Sequence, residues 1–422
     1  MIKRFLTDKL KFALRNSPVI ILNGARQSGK STLMKLLQEE DLVSGYETLD
    51  SIQTLSNLKN FTETTLRNYP SGTVIDEIQK LPEIFDSIKL IVDENRINDR
   101  FVLTGSANVL LLPKLSESLA GRVQILTLYP LSIAEIIASK NEPQNSNYSI
   151  IDLLFEDNIE DKLLHYTSEG IDNQDLINII LQGGYPELQQ KDDPQQWKIW
   201  FESYINSLLQ RDVRDLANIE GLAVLPNMLQ LIANQTSGIM NNADMARDLS
   251  INSVTFARYL VLLESLFLVQ KLRPWYKNLG KRLVKSPKIF LNDTGITSYL
   301  LNLDSDYLKK DRRYFGKLLE NLVFTELNKA ISWSKNKPNL YYLRTQAGQE
   351  VDFVLENGRG QVVAIEVKSS ENVSQSDLSG LIWLRDNHED FKLGLVVYTG
   401  QKIFQVSEKI WAIPVSYLWS EK

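Results

Sequence analysis

The chain has 422 residues, 43% hydrophobic and 23% charged, with a formal net charge of −5. At roughly 100–200 residues per domain this length accommodates two to four domains, and the acidic balance excludes a protein that coats nucleic acid through its overall field. With no cysteine and only His165 and His388 as imidazoles, disulfides, thiolate sites, a cysteine nucleophile and a histidine-rich zinc centre are excluded; the remaining donors suit magnesium-type sites.

The opening "MIKRFLTDKLKF" carries charges too often for the apolar core of a signal peptide. The longest greasy segment, "YLVLLESLFLVQKL", is broken by Glu264 and Ser265, short of the roughly 20 apolar residues that span a bilayer. A cytoplasmic protein with no membrane partner is expected.

From residue 17 to about 130 the short apolar runs "PVIILNG", "GYETLD", "GTVIDE", "FVLTGS" and "RVQILTL" alternate with amphipathic stretches. Buried parallel strands separated by helices read this way, so residues 1–135 are expected to form an α/β core. Within it "GARQSGKST", Gly24, Ala25, Arg26, Gln27, Ser28, Gly29, Lys30, Ser31 and Thr32, fits the phosphate-binding loop and lies between an apolar strand and a helix. Its glycines let backbone N–H groups turn toward phosphate, and the helix N-terminus favours the anion. Lys30 is then expected to bridge β- and γ-phosphates and Ser31 to ligate magnesium, making ATP and Mg2+ the ligands. "GTVIDEIQ" ends a neighbouring strand with Asp76, placed to hold the metal through water, and Glu77, placed to orient or deprotonate an attacking water. "FVLTGSAN" brings Thr104 and Ser106 as hydroxyls that could sense the γ-phosphate. "SLAGRVQIL" sets Arg122 before the next strand, either as a charge presented to a neighbouring subunit in a homo-oligomer or as an ordinary ion pair at a helix end.

The segments "GARQSGKST", "YETLD", "TVIDEIQKLPEIF", "LTGSANVLLL", "SESLAGRV", "LYPLS", "GGYPE" and "QRDVRDL" follow in this order. With them the chain resembles, over essentially its whole length, the bacterial and archaeal AAA-type ATPases that carry a C-terminal domain of unknown function. The resemblance implies an AAA-type P-loop core, a winged-helix segment and a restriction-endonuclease-like C-terminal domain. It gives Lys30, Asp76 and Glu77 the Walker roles, Ser106 the sensor role and Arg122 the finger role; Arg211 and Arg214 match the "RD" segment without an assigned part.

After a polar break at "ASKNEPQNSNYSIID", residues 136–222 read as a helical lid in which "GGYPE" (Gly183 to Glu187) punctuates two helices. Residues 223–305 read as a winged helix. A short helix "ADMARDL", a turn "SINS" and a longer helix precede a hairpin. On the longer helix Val254, Tyr259, Leu262 and Leu263 are expected on one side and Ser253, Thr255 and Arg258 outward, as a helix entering a major groove requires. Lys277, Lys281, Arg282, Lys285 and Lys288 make the hairpin basic, a face for DNA phosphates, with Trp275 and Tyr276 stacking or packing. The rival for this segment is a protein-docking or lid module.

Residues 306–422 contain one helix and then strands. "EVDFVLE" offers Asp352, and "VAIEVKSS" offers Glu366 and Lys368 on one face, since strand side chains alternate. The helix "FGKLLENLVFTEL" adds Glu320, and the glycines of "ENGRGQ" suit the turn. Glu320, Asp352, Glu366 and Lys368 match, in order, the pattern of metal-dependent nucleases of the restriction-endonuclease type (PD-(D/E)XK). The expected function is an ATP-hydrolysing, DNA-associated protein with a nuclease-like tail. The alternatives are a nucleotide-dependent switch or docking module without nuclease activity, and a small-molecule kinase, which the Asp76–Glu77 pair and long C-terminal modules oppose.

Overall fold

The computed structural model describes residues 2–106, 121–140, 149–165, 170–213, 222–276 and 286–419. The five apolar runs form strands β1 (Val19–Asn23), β2 (Gly45–Thr48), β3 (Thr73–Asp76), β4 (Phe101–Gly105) and β5 (Val123–Thr127). They make one parallel sheet in the order β2-β3-β4-β1-β5. Every residue of β1, β3 and β4 is buried, as strands covered on both faces must be. Alternate residues of β1 serve the two faces. Ile20 and Leu22 pack with Leu10, Leu33 and Met34 of the helices Thr7–Asn16 and Lys30–Glu39; Val19 and Ile21 pack with Ile88 and Val92 of the helix Ile84–Glu94. Because the strands are parallel, the loops after β1, β3 and β4 leave from the same end of the sheet. This places the phosphate-loop sequence, Glu77 and Ser106 together.

The helices Asn242–Asp248 and Ser253–Ser265 precede an antiparallel pair, β6 (Val269–Leu272) and β7 (Lys288–Leu291). Asn241 and Asn252 cap the two helices, each accepting backbone N–H bonds from the first turn. Val254 does not lie on the buried side as expected: it is 81% exposed, while Phe256, Tyr259, Leu260 and Leu263 face inward. Val254 falls with Ala257, Arg258 and Val261, three and four residues apart, on the exposed side of the helix.

The C-terminal part is a mixed six-stranded sheet built from β8 (Asn339–Arg344), β9 (Glu350–Glu356), β10 (Val362–Lys368), β11 (Phe391–Tyr398), β12 (Phe404–Ser407) and β13 (Ile410–Pro414). Its order is β12-β13-β11-β10-β9-β8. Strands β8, β9 and β10 run antiparallel; β10, β11 and β13 are parallel. The helix Arg312–Trp333 covers one face through Leu318, Leu322 and Leu327, and the helix Ser379–Asn387 covers the other through Leu381 and Leu384.

The helical stretch between the two sheets divides its packing. Ile150, Leu154, Leu163, Ile177 and Ile180 join the core beneath the helix Arg312–Trp333. Trp197, Trp200, Phe201 and Tyr204 of the helix Pro194–Ser207 join the core of the middle helices, together with Ala25. A buried polar knot ties the parts. The "GGYPE" and "LYPLS" segments meet through Leu131 N–H donating to the Gly184 carbonyl (2.7 Å). Gly184 N–H donates to Asp293 Oδ2 (2.8 Å), Lys329 Nζ to the Leu131 carbonyl (3.0 Å), and Ile133 N–H to Glu326 Oε2 (2.9 Å).

Candidate functional site

The loop from Gly24 to Gly29 leaves β1 and opens the helix Lys30–Glu39. Gly24 has φ +149° and passes so close to the strand β5 exit that a Cβ there would lie 2.1 Å from the Leu128 carbonyl oxygen. Lys30 is buried, and its Nζ donates to the Gly24 and Ala25 carbonyls at 2.8 and 2.9 Å. An ammonium held over its own loop can exchange those neutral acceptors for phosphate oxygens with little movement. Ser28 Oγ is fully buried with no hydrogen-bond partner, a polar atom turned into the loop that an anion's oxygens would satisfy.

Asp76 is 5% exposed and shared by three hydroxyls. Ser31 Oγ donates to its Oδ2 at 3.1 Å, Tyr46 also donates to Oδ2, and Thr104 donates to Oδ1. Burial and the bond to Asp76 push the Tyr46 phenol well above its ordinary pKa. Ser31 and Asp76 set two hard oxygen donors side by side beneath the phosphate loop, so the residues present fit a magnesium ion carried in with a nucleotide. Glu77 has left-handed backbone geometry, φ 58° and ψ 43°, uncommon for a non-glycine residue and a mark of constrained sites. Its carboxylate accepts from Ser106 Oγ at 3.1 Å and from Gln79 Nε2, which also donates to Ser106 Oγ at 3.0 Å. The strand ends thus bring Lys30, Ser31, Asp76, Glu77 and Ser106 to one place.

Arg122 lies elsewhere. It precedes β5, whose Val123 pairs with Val19 at the start of β1, whereas the phosphate loop follows Asn23 at the other end. Four strand steps of ~3.3 Å separate the two ends. Arg122 forms a bidentate ion pair with Asp93 and holds that carboxyl below the usual range. Arg122 therefore cannot serve the phosphate loop of its own chain.

Sequence reasoning missed several partners. Tyr46 lies within the strand run "GYETLD", and Gln79 follows Glu77 in "GTVIDEIQ" without a part assigned to it. Arg4 donates to Glu135 Oε1 (3.0 Å), to the Ser28 carbonyl of the loop (2.7 Å) and to the Tyr129 carbonyl (2.6 Å), all while 8% exposed. Tyr204 donates to the Arg26 carbonyl (3.1 Å) and bonds Tyr185 (2.9 Å). The Arg4–Glu135, Arg4–Tyr129 and Tyr204–Arg26 contacts join residues more than a hundred positions apart, so no local pattern marks them.

On the helix Ser253–Ser265, Ser253, Ala257 and Arg258 are exposed with Val254, and Thr255 is half-buried. Lys277, Lys281, Arg282 and Lys285 lie outside the described residues, as do Arg214 and the Arg211 side chain. Trp275 packs in the core beside His388, with ring centroids 5.1 Å apart.

Lys288 departs from its expected part in a basic face. It is 3% exposed and its Nζ lies 3.0 Å from Glu320 Oε1, 3.0 Å from Asp352 Oδ1 and 3.3 Å from Glu350 Oε1. Burial opposes its charge, yet Asp352, Glu320 and Glu350 hold the ammonium above its ordinary pKa. The reason is a docking event: Trp275 N–H donates to the Tyr342 carbonyl (2.6 Å) and Tyr342 N–H to the Arg273 carbonyl (3.0 Å), laying the hairpin along β8. Lys368 Nζ pairs with Glu366 Oε1 (3.0 Å) and Asp377 Oδ1 (3.4 Å), and Val367 N–H donates to Asp352 Oδ2 (3.0 Å). Glu320, Asp352, Glu366 and Lys368 thus gather at one end of β9 and β10, as expected. Among the described residues no group of three or more carboxylates or imidazoles is arranged to hold a metal ion.

Residues 16–137 match the AAA domain family. Residues 173–307 match a Domain of unknown function (DUF8612), and residues 315–418 match another, DUF4143. An uncharacterized protein of Mycobacterium tuberculosis is 28% identical over 430 residues, covering 99% of this chain and 84% of that protein. One of Haemophilus influenzae is 25% identical, covering 87% of each chain. Among solved structures, the Walker-type ATPase of Pyrococcus abyssi is 13% identical and covers 71% of this chain and 96% of its own, at a TM-score of 0.42. The Holliday junction branch migration motor of Thermotoga maritima is 16% identical, covering 63% and 88%, at 0.31. Among the described residues no helix is long and apolar enough to cross a membrane.

Proposed function

We propose, for a chain that is an AAA-type P-loop protein with a C-terminal domain of unknown function, that it hydrolyses ATP at the loop Gly24–Thr32 and relays nucleotide state to its middle and C-terminal parts. The observation that carries the reading is the convergence of Lys30, Ser31, Asp76, Glu77 and Ser106 at the ends of β1, β3 and β4. Lys30 would leave its loop carbonyls for the β- and γ-phosphates. Ser31 and Asp76 would hold magnesium, which neutralises phosphate charge when bound. Glu77 would accept the proton of the attacking water, with Gln79 and Ser106 fixing its carboxylate. Arg122, if it leaves its Asp93 pair, would act on the nucleotide of a neighbouring copy; the alternative is that it serves only as that ion pair.

The proposed partner of the middle part is DNA. The support is a short helix, a turn, a capped second helix with an outward Ser253–Thr255–Arg258 edge, and a hairpin, the order a winged helix uses. The C-terminal order of helix, three antiparallel strands, helix and parallel strand is compatible with a restriction-endonuclease-like fold. The Lys288 ion pairs favour the switch reading over DNA cleavage. The test is phosphate release from Mg-ATP together with fluorescence-anisotropy titration of duplex DNA. Turnover lost in Lys30→Ala and DNA affinity falling steeply with salt are the expected results. Turnover that survives Lys30→Ala, or salt-independent indifference to DNA, would reject the respective half.

A further inference from the structure

The C-terminal carboxylates face a cation supplied by the chain itself. Lys288 is no mobile surface lysine. It opens β7, is paired to Leu272 across the hairpin, and bridges Ile239 on its other side. Its backbone is therefore fixed, and its 3%-exposed side chain has one direction to go. There it meets Glu320 from the helix Arg312–Trp333 and Glu350 and Asp352 from β9, all within 3.3 Å. The ammonium donates to Glu320 and Asp352 and lies in ion-pair range of Glu350, so it finds acceptors inside the fold and offsets part of their charge.

A metal-dependent nuclease needs the same carboxylate oxygens for a divalent ion, at ligand distances of about 2.0–2.6 Å. Here Asp352 Oδ1 is engaged by Lys288 and Oδ2 by the Val367 N–H. Glu320 Oε1 is engaged by Lys288 and Glu366 Oε1 by Lys368, while Glu366 Oε2 is buried without a hydrogen-bond partner. A dication entering this space would meet the Lys288 ammonium at contact range in a poorly solvated setting, where like charges repel most strongly. Asn321, fully buried beside Glu320, reinforces the same joint: its Nδ2 donates to the Leu291 carbonyl (2.8 Å) and its Oδ1 accepts from Thr297 (2.8 Å).

We propose that Lys288 is the resident cation of this site. Its ammonium occupies the position in which a metal-dependent nuclease would hold its divalent ion, and the carboxylates lock the middle hairpin onto the C-terminal sheet instead of binding a catalytic metal. The two parts are then one mechanical unit, and Lys368, which keeps the nuclease spacing, is held by Glu366 and Asp377 rather than activating water.

Manganese(II) titrated into the nucleotide-free full-length chain, with free ion read by electron paramagnetic resonance, tests this. Wild type and Asp352→Asn should bind the same number of ions, because the cluster contributes no site. Lys288→Met should gain about one ion per chain, lost again in Lys288→Met combined with Asp352→Asn. Supercoiled plasmid incubated with manganese should show no nicking that depends on Asp352. The proposal is overturned if wild type binds one ion more than Asp352→Asn, if Asp352-dependent nicking appears, or if Lys288→Met folds, by circular dichroism, and gains no site. Should Lys288→Met fail to fold, the wild-type and Asp352→Asn arms decide alone.

Discussion

Glu77 is the residue whose replacement separates binding from chemistry. Its carboxylate accepts from Gln79 and Ser106 at the end of the strand beside the phosphate loop. Glu77→Gln should keep nucleotide affinity while turnover falls by about 10²–10⁴, the usual contribution of a positioned base; fluorescent-nucleotide binding run beside phosphate release reads both. A second residue-scale prediction concerns pH. Burial, then the Asp352 charge, pushes the carboxyls of Glu320 and Glu366 up to about 8, from 4.5. Between those values the folded chain holds protons that the unfolded chain has released, so this cluster makes stability fall as pH rises through the window. Melting midpoints measured at both ends should drop less for Glu366→Gln than for wild type; an equal drop would refute the assignment. The residues of the phosphate loop were legible because their chemistry depends on local spacing. Lys288 was not: whether a lysine at the start of an apolar strand faces water or carboxylates depends on where its hairpin docks, 64 residues from Asp352 by sequence and 3.0 Å by contact.

At the scale of elements, the knot between "LYPLS" and "GGYPE" explains two segments whose role the sequence leaves blank. Gly184 is pressed against the Leu131 carbonyl, 2.4 Å from where a Cβ would stand, with Lys329 Nζ next at 3.1 Å. Gly184→Ala should therefore force the two segments apart and cost about 1–3 kcal/mol, seen as a lower unfolding midpoint in urea; an unchanged midpoint would mean that the knot is slack. Asp293 supports both sides of it, capping the helix Thr294–Leu300 through Gly295 and Ile296 N–H groups while accepting from Gly184. The parallel strands could be read from their unbroken apolar runs, and β9 and β10 from alternation and the glycine turn. The division of the helices after residue 150 between two cores could not, since amphipathic helices carry a buried face without naming its partner.

Over the whole molecule, the phosphate loop is linked to the C-terminal sheet through Tyr204, Tyr185 and the knot to the helix that also carries Glu320 and Asn321. Arg122 stands at the far end of the parallel sheet from the phosphate loop, so its proposed role requires a second copy. Arg122→Ala and Lys30→Ala proteins, each inactive alone, should regain turnover when mixed, because one copy supplies the loop and the other the arginine; no recovery on mixing would remove Arg122 from the mechanism. The central claim remains ATP hydrolysis at the site built by β1, β3 and β4. Phosphate release from Mg-ATP by wild type, Lys30→Ala and Glu77→Gln tests it most directly. Turnover by wild type that both substitutions abolish is the predicted result, and turnover equal in all three proteins would contradict the account.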